Sequence, residues 1–331
     1  MSDQKKNANA LGLCSGGLDS RLAAAVLKAQ GLDVTLISFE TPFFSADKAE
    51  QAAKMLDLPL IVKNITPTYI KMLQNPPCGY GKYMNPCMDC HALMFRIAGD
   101  LMKKDGYDFL FSGEVLGQRP MSQTRPSLRY VEKQSGYAGY ILRPLSAKCL
   151  PETTPEMMGL VDRNALLDIT GRSRKRQMDL AEKYGITDYP APAGGCLLTD
   201  KGFSTRLKDL FANQEPVTER TLNLLKYGRH FRLPAGSRVI VGRTRKDNKY
   251  LGKYFDSESD TLIRLCRQPG PLVLVTGDVD VSVIRFAAGL CVGYSKAANM
   301  TPNDVRVSGR YGKETIQVLG ISPGDVQKLL L

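Results

Sequence analysis

Between residues 10 and 146 short apolar runs alternate with amphipathic stretches. ALGLC at 10–14, VTLISF at 34–39, LIVKNI at 60–65, FLFSGE at 109–114 and ILRPLS at 141–146 read as strands, while 20–30, 45–57 and 91–104 carry helical periodicity. Such alternation predicts an α/β fold, a parallel sheet covered by helices, with ligands at the carboxyl ends of the strands. Residues 151–186 also read as helical, first PEMMGLVDRNALL and then RSRKRQMDLAEKYG, until YPAPAGGC breaks the pattern. From about residue 228 the character changes. SRVIVGR, TLIRLCR and PLVLVTG read as strands and VSVIRFAAGLCVGYSKAAN as a helix, which predicts a smaller α+β domain. Two domains are therefore expected, 1–210 and 211–331, with no internal repeat.

The chain has 331 residues, and no stretch approaches the roughly 20 apolar residues of a membrane span. Its start, MSDQKKNANA, lacks the apolar core of a signal peptide, so the cytoplasm is the expected compartment. Forty-five Lys and Arg against 33 Asp and Glu give a net charge of +12, which favours a polyanionic partner, nucleic acid first. There is no tryptophan, and His91 and His230 are the only histidines, so imidazole catalysis and multi-histidine metal sites lack raw material.

Ser15-Gly16-Gly17-Leu18-Asp19-Ser20 follows the first strand directly and opens a helix. Glycines there permit close backbone approach, and hydroxyls and free helix N–H groups offer donors to an anion. The loop lacks the lysine of GxxxxGK[ST], which disfavours γ-phosphate transfer. SGGLDS resembles the PP-loop of the ATP pyrophosphatase superfamily, of adenine nucleotide alpha hydrolase-like fold, whose members split ATP to AMP and pyrophosphate while adenylating a substrate oxygen. The resemblance implies that Ser15, Gly16, Gly17, Asp19 and Ser20 hold pyrophosphate, with Asp19 near Mg2+, and that Phe39 at the end of the second strand lies by the adenosine.

Eight cysteines in a cytosolic chain are expected to be reduced. Cys87 and Cys90 stand at CxxC spacing in NPCMDC before a helix whose N-terminus favours thiolate, and Cys196 follows in a Pro-Gly loop able to fold back. Three readings stay open. The three thiolates hold a 4Fe-4S cluster with one iron free for sulfide; or one carries a persulfide that another resolves; or Cys78 or His91 completes a structural zinc site. Cys14, Cys149, Cys266 and Cys291 lie in apolar segments and read as core.

NPCMDC looks like the cysteine segment of tRNA 2-thiouridylases and of cluster-containing tRNA thiolation enzymes. Gly113-Glu114-Val115-Leu116-Gly117-Gln118 with Ser122-Gln123-Thr124, continued by ILRPLS, resembles the GE-LGQ-SQT segment of the tRNA 4-thiouridine synthetases. The likeness covers about residues 10–200. It implies that ATP adenylates a uracil oxygen, which sulfur then displaces, with 4-thiouridine ahead of 2-thiouridine and with sulfur arriving as sulfide or as a persulfide from a cysteine desulfurase. Cys87, Cys90 and Cys196 would be catalytic, with Gly113 and Gln118 at the nucleotide. The loop begins at Ser15, so the RNA-binding and ferredoxin-like modules that precede it in those enzymes are not expected here, nor a rhodanese-like extension.

For RNA, Arg119 follows the fourth strand at the crevice, Arg143 within ILRPLS either contacts phosphate or merely makes a salt bridge, and Arg172, Arg174, Lys175 and Arg176 cluster at a helix start, where a phosphate backbone would offset the unfavourable dipole. Gly242-Arg243, Asn248 and Tyr294-Ser295-Lys296-Ala297 resemble the RNA-binding (NFACT-R-like) domain of fibronectin-binding-like and ribosome quality control proteins. That resemblance implies tRNA contact through Arg243 and Lys296. Two other functions fit parts of the pattern: a PP-loop ligase or amidotransferase acting on a small molecule, and a non-catalytic RNA-binding factor.

Overall fold

The computed structural model describes residues 8–191, 196–234, 236–277, 279–297, 299–310 and 312–331; the chain's first residues and the Gly194-Gly195 pair lie outside them. Two compact units result, Met1–Thr199 and Asp200–Leu331.

The first unit runs β1 (Asn9–Leu13), α1 (Leu18–Lys28), β2 (Asp33–Glu40), α2 (Asp47–Leu56), β3 (Leu60–Asn64), α3 (Thr66–Gln74), α4 (Cys87–Asp105), β4 (Phe109–Ser112), α5 (Arg125–Ser135), β5 (Ile141–Leu142), a single turn α6 (Thr154–Met157) and α7 (Lys175–Lys183). Its five strands are parallel in the order β3-β2-β1-β4-β5. The apolar runs become inner strands because both faces are covered: Leu11, Leu36, Phe109 and Phe111 are fully buried, and the alanine-rich face of α1 packs with Leu36, Phe109 and Phe111. Gly12 lets β1 pass the Phe111 ring, since a Cβ there would lie 2.0 Å from it. Leu13 pairs with Ile37 on one side and Ser112 on the other, so the chain leaves β1 and β4 at one carboxyl edge.

Of the two helices expected over 151–186, the first is broken and the second is shortened. Only α6, a 3-10 turn at Arg163–Ala165 and α7 are helical. Asp162 caps the 3-10 turn, and Gly159 and Gly171 adopt φ of +68° and +83°. Val161, Leu166 and Ile169 reach the core from irregular backbone, so their apolar spacing mimics a helix.

The second unit holds α8 (Lys201–Ala212), α9 (Glu219–Leu224), β6 (Arg229–Arg232), β7 (Arg238–Val241), α10 (Arg245–Tyr254), β8 (Asp260–Leu265), β9 (Val273–Thr276), α11 (Val281–Gly293), β10 (Asn303–Gly309) and β11 (Gly312–Val318). The strands form an antiparallel sheet in the order β11-β10-β8-β9-β7-β6, an α+β arrangement. α11 buries Ala287, Ala288, Leu290 and Val292 among the sheet's valines. It ends at Gly293, short of the expected 299, where the backbone meets Ile321 so closely that a Cβ would lie 1.8 Å from its carbonyl oxygen. No helix among the described residues is long and apolar enough to cross a membrane.

Candidate functional site

Gly16 takes φ +71°, and a Cβ on it would meet the Lys48 carbonyl at 2.2 Å, so the turn between β1 and α1 admits only glycine there. Gly17 occupies the N-cap of α1 without a side chain, leaving first-turn N–H groups to an anion. Arg21, 1% exposed, locks the loop from behind: its Nε donates to the Gly16 carbonyl (2.9 Å) and its Nη1 to the Asp188 carbonyl (2.5 Å). Ser20 Oγ donates to the Gly17 carbonyl at 2.9 Å, and Ser15 is exposed at the mouth of the turn.

Asp19 is held from three sides. Gly113 brings the end of β4 against it, where a Cβ would lie 2.4 Å from the Asp19 backbone. Gln118 Nε2 donates to Asp19 Oδ2 (2.7 Å), and Gln177 Nε2, from α7, donates in turn to Gln118 Oε1 (2.8 Å). Arg174 Nη2 stands 3.9 Å from Asp19 Oδ1. Burial raises the Asp19 pKa against the opposing pull of Gln118, Arg174 and Arg119. Its Oδ1 is buried without a hydrogen bond, as are Arg174 Nε and Gln177 Oε1. A hard cation and a phosphate oxygen would satisfy these atoms, so this carboxylate fits Mg2+ in donor type. Phe39 sits at the carboxyl end of β2 with its ring 4% exposed.

Cys87 and Cys90 open α4, and Cys196 lies in the segment whose Leu197 N–H donates to the Phe43 carbonyl (3.2 Å). The three thiols and the Tyr69 hydroxyl, which bonds Cys90, lie within electrostatic range of one another. Burial drives the Cys90 thiol well up and Cys196 up to about 11, and the neighbouring sulfurs add to both. This reverses the expected thiolate at Cys90: desolvation outweighs the helix N-terminus. All eight cysteines are free. Among the described residues no group of three or more His, Cys, Asp and Glu stands ready-made for a metal, and the three thiols are in donor type the soft ligands an iron-sulfur centre takes. Cys78 is exposed, its N–H on Asp89 Oδ2 (2.9 Å), while Asp89 Oδ1 accepts from Tyr130. Of the presumed core thiols, Cys14 and Cys291 are buried, whereas Cys266 is exposed and Cys149 half-buried.

Between loop and cysteines stands a buried polar network that the sequence did not signal. Glu114 accepts from His91 Nδ1 (2.8 Å), Arg143 Nε (2.9 Å) and Ser112 Oγ (3.2 Å). Burial alone would raise its pKa, but Arg143, with His91, brings it to about 2. Arg143 is 2% exposed and also paired with Glu132, with its Nη2 buried and unbonded, so of its two expected uses the structure shows the salt bridge and not an RNA contact. The basic cluster divides as well. Arg174 turns toward Asp19, while Arg172, Lys175 and Arg176 are exposed, Arg176 on Asp168 (2.5 Å). Arg119 is exposed beside Gln118, and Ser122 is buried.

In the second unit Gly242 lies so close to Asn248 that a Cβ would be 2.1 Å from its Oδ1, so a side chain there would displace Asn248. That Asn248 side chain accepts from Leu272 N–H (3.0 Å) and donates to the Gly270 carbonyl (3.2 Å), clamping α10 to the sheet. Arg243 pairs with Asp247 (3.2 Å), and Lys296 is exposed.

Residues 6–148 match the family described as thiamine biosynthesis protein (ThiI), and residues 228–329 that described as NFACT protein RNA binding domain. The chain is 30% identical over 224 residues to a probable tRNA sulfurtransferase from Lachnospira eligens, covering 65% of this chain and 46% of that protein. It is 31% identical over 117 residues to the tRNA-specific 2-thiouridylase MnmA of Desulfosudis oleivorans, covering 30% of each. The chain thus spans less than half the length of these curated relatives. Among solved structures, one titled a predicted subunit of tRNA methyltransferase from Methanocaldococcus jannaschii gives a TM-score of 0.35 at 18% identity, over 53% of this chain and 76% of that one.

Proposed function

From a chain that joins a ThiI-type segment to an NFACT-type RNA-binding segment, we propose an ATP-dependent tRNA sulfurtransferase that converts a uridine to 4-thiouridine. The carrying observation is one dipeptide. Gly113 lies against Asp19 of the phosphate loop, and Glu114 holds His91, the neighbour of Cys90, so a nucleotide site and a thiol site are built on the same end of β4.

In the first step a uracil carbonyl oxygen attacks the α-phosphorus of ATP, and the bond to pyrophosphate breaks. Gly16, Gly17 and the first turn of α1 receive the departing pyrophosphate and Arg174 offsets its charge; Asp19 would hold Mg2+, which would supply further neutralisation of the phosphates. In the second step sulfur bonds to the activated carbon and AMP leaves with the former carbonyl oxygen. The charges are met by fixed donors, so two histidines suffice. Cys87, Cys90 and Cys196 would hold a 4Fe-4S cluster, whose open iron supplies a place for sulfide. Burial pushes the Cys90 and Cys196 thiols up, which makes either a poor free nucleophile for carrying a persulfide.

If this reading holds, anaerobically reconstituted protein is brown, with about four irons per chain, and Cys196→Ala loses the colour together with thiolation. One zinc and no iron would contradict the cluster. AMP and pyrophosphate forming equally well without tRNA would instead favour the small-molecule ligase.

A further inference from the structure

We infer that the outward face of α10 is a docking surface for a single RNA strand, with phosphates on a lysine-arginine stripe and an unpaired base against Tyr250. This rests on the RNA reading of the second unit and says where on that unit the strand lies.

Arg245, Lys249 and Lys253 recur at i, i+4 along α10, about 6 Å apart, and Lys246 stands beside them. The opposite side is the packed one: Leu251 is fully buried and Asp247 is 6% exposed. Asp247 is the helix's sole acid, and it is spent on Arg243, accepting from its N–H (3.0 Å) and its Nε (3.2 Å). Arg245, Lys246 and Lys249 are exposed and have no carboxylate partner among the described residues. An uncompensated row of cations at this spacing suits a row of phosphates.

At the edge of the stripe stands an aromatic group. Tyr250 stacks on Tyr227 with ring centroids 4.4 Å apart and planes 6° off parallel, and Tyr254 lies 6.4 Å from both. All three are half-buried. Cations alongside a partly open tyrosine are the combination that binds single strands, the ring taking the base and the charges the backbone; a duplex, its bases stacked inside, would leave the tyrosine unused.

The platform is rigid. Thr244 caps the helix start by accepting from Asp247 N–H (3.1 Å), Asn248 clamps its middle, and Arg220 Nε donates to the Tyr254 carbonyl (2.9 Å) at its end. A partner therefore meets a surface whose ordering cost is already met.

The test is fluorescence anisotropy with the full chain and labelled oligouridine at one fixed salt concentration. Lys246→Glu combined with Lys249→Glu should weaken binding about tenfold or more. Tyr250→Ala should weaken it about tenfold, while Tyr250→Phe, which keeps the ring, should match wild type. Arg264→Glu, on an exposed strand position paired with Arg306, is the control for diffuse charge and should change the affinity far less. Equal loss from Arg264→Glu, or wild-type affinity in Tyr250→Ala, would overturn the inference. RNA binding that depends on α10 in a protein that thiolates nothing would sink the sulfurtransferase reading and leave this surface standing.

Discussion

Glu114 is ionised in the interior because Arg143 and His91 repay its desolvation, and its pKa of about 2 turns that into a stability statement. A carboxylate depressed in the fold stabilises fully above its unfolded value of about 4.3, and the contribution drains away as pH falls toward the folded one. Glu114→Gln should therefore cost about 3 kcal/mol at neutral pH, since it strips a buried guanidinium of one counter-charge. It should also flatten the acid limb of urea-unfolding stability between pH 4.5 and 2; an unchanged acid limb would mean that the carboxylate is not ionised in the fold. Residue type was legible at the loop, where Gly16 and Gly17 follow from chain geometry. Residue role was not legible at Arg143 or Arg174. Both read as RNA contacts in a basic chain, and only the packing shows that one faces Glu114 and the other Asp19.

Among the elements, α7 touches both halves of the chemistry. Arg172, just before it, and Lys175 and Arg176 at its start point to solvent, whereas Gln177, fully buried, reaches Asp19 through Gln118. Gln177→Ala should slow tRNA-dependent AMP formation about tenfold to a hundredfold by loosening Asp19, with the KM for tRNA unchanged. Arg172→Glu with Lys175→Glu should do the reverse, raising KM with kcat kept; the same kinetic pattern in both variants would refute this division of the helix. The strands of the first sheet were legible because they are buried on both faces and so read as unbroken apolar runs. α5 and α10 were not, since RPSLRYVEKQS and RKDNKYLGKY each bury only two or three positions, too few for an apolar period. The misread helix PEMMGLVDRNALL at 155–167 is the opposite error, apolar residues buried from irregular backbone.

Across the whole molecule, each unit carries one part of the proposed activity. The parallel sheet of the first gathers the phosphate loop, Asp19 and the three thiols, and the antiparallel sheet of the second carries α10 with its unneutralised cations. The net charge of +12 announced a polyanion, but charge alone named neither the strand that α10 suits nor the reaction. The central claim is that ATP cleavage here serves replacement of oxygen by sulfur on a uridine. It is tested most directly by incubating anaerobically reconstituted protein with ATP, Mg2+, sulfide and unmodified tRNA, digesting the tRNA and weighing its nucleosides by mass spectrometry. The account predicts 4-thiouridine that disappears with Asp19→Ala. AMP and pyrophosphate accumulating while every uridine keeps both oxygens would contradict it.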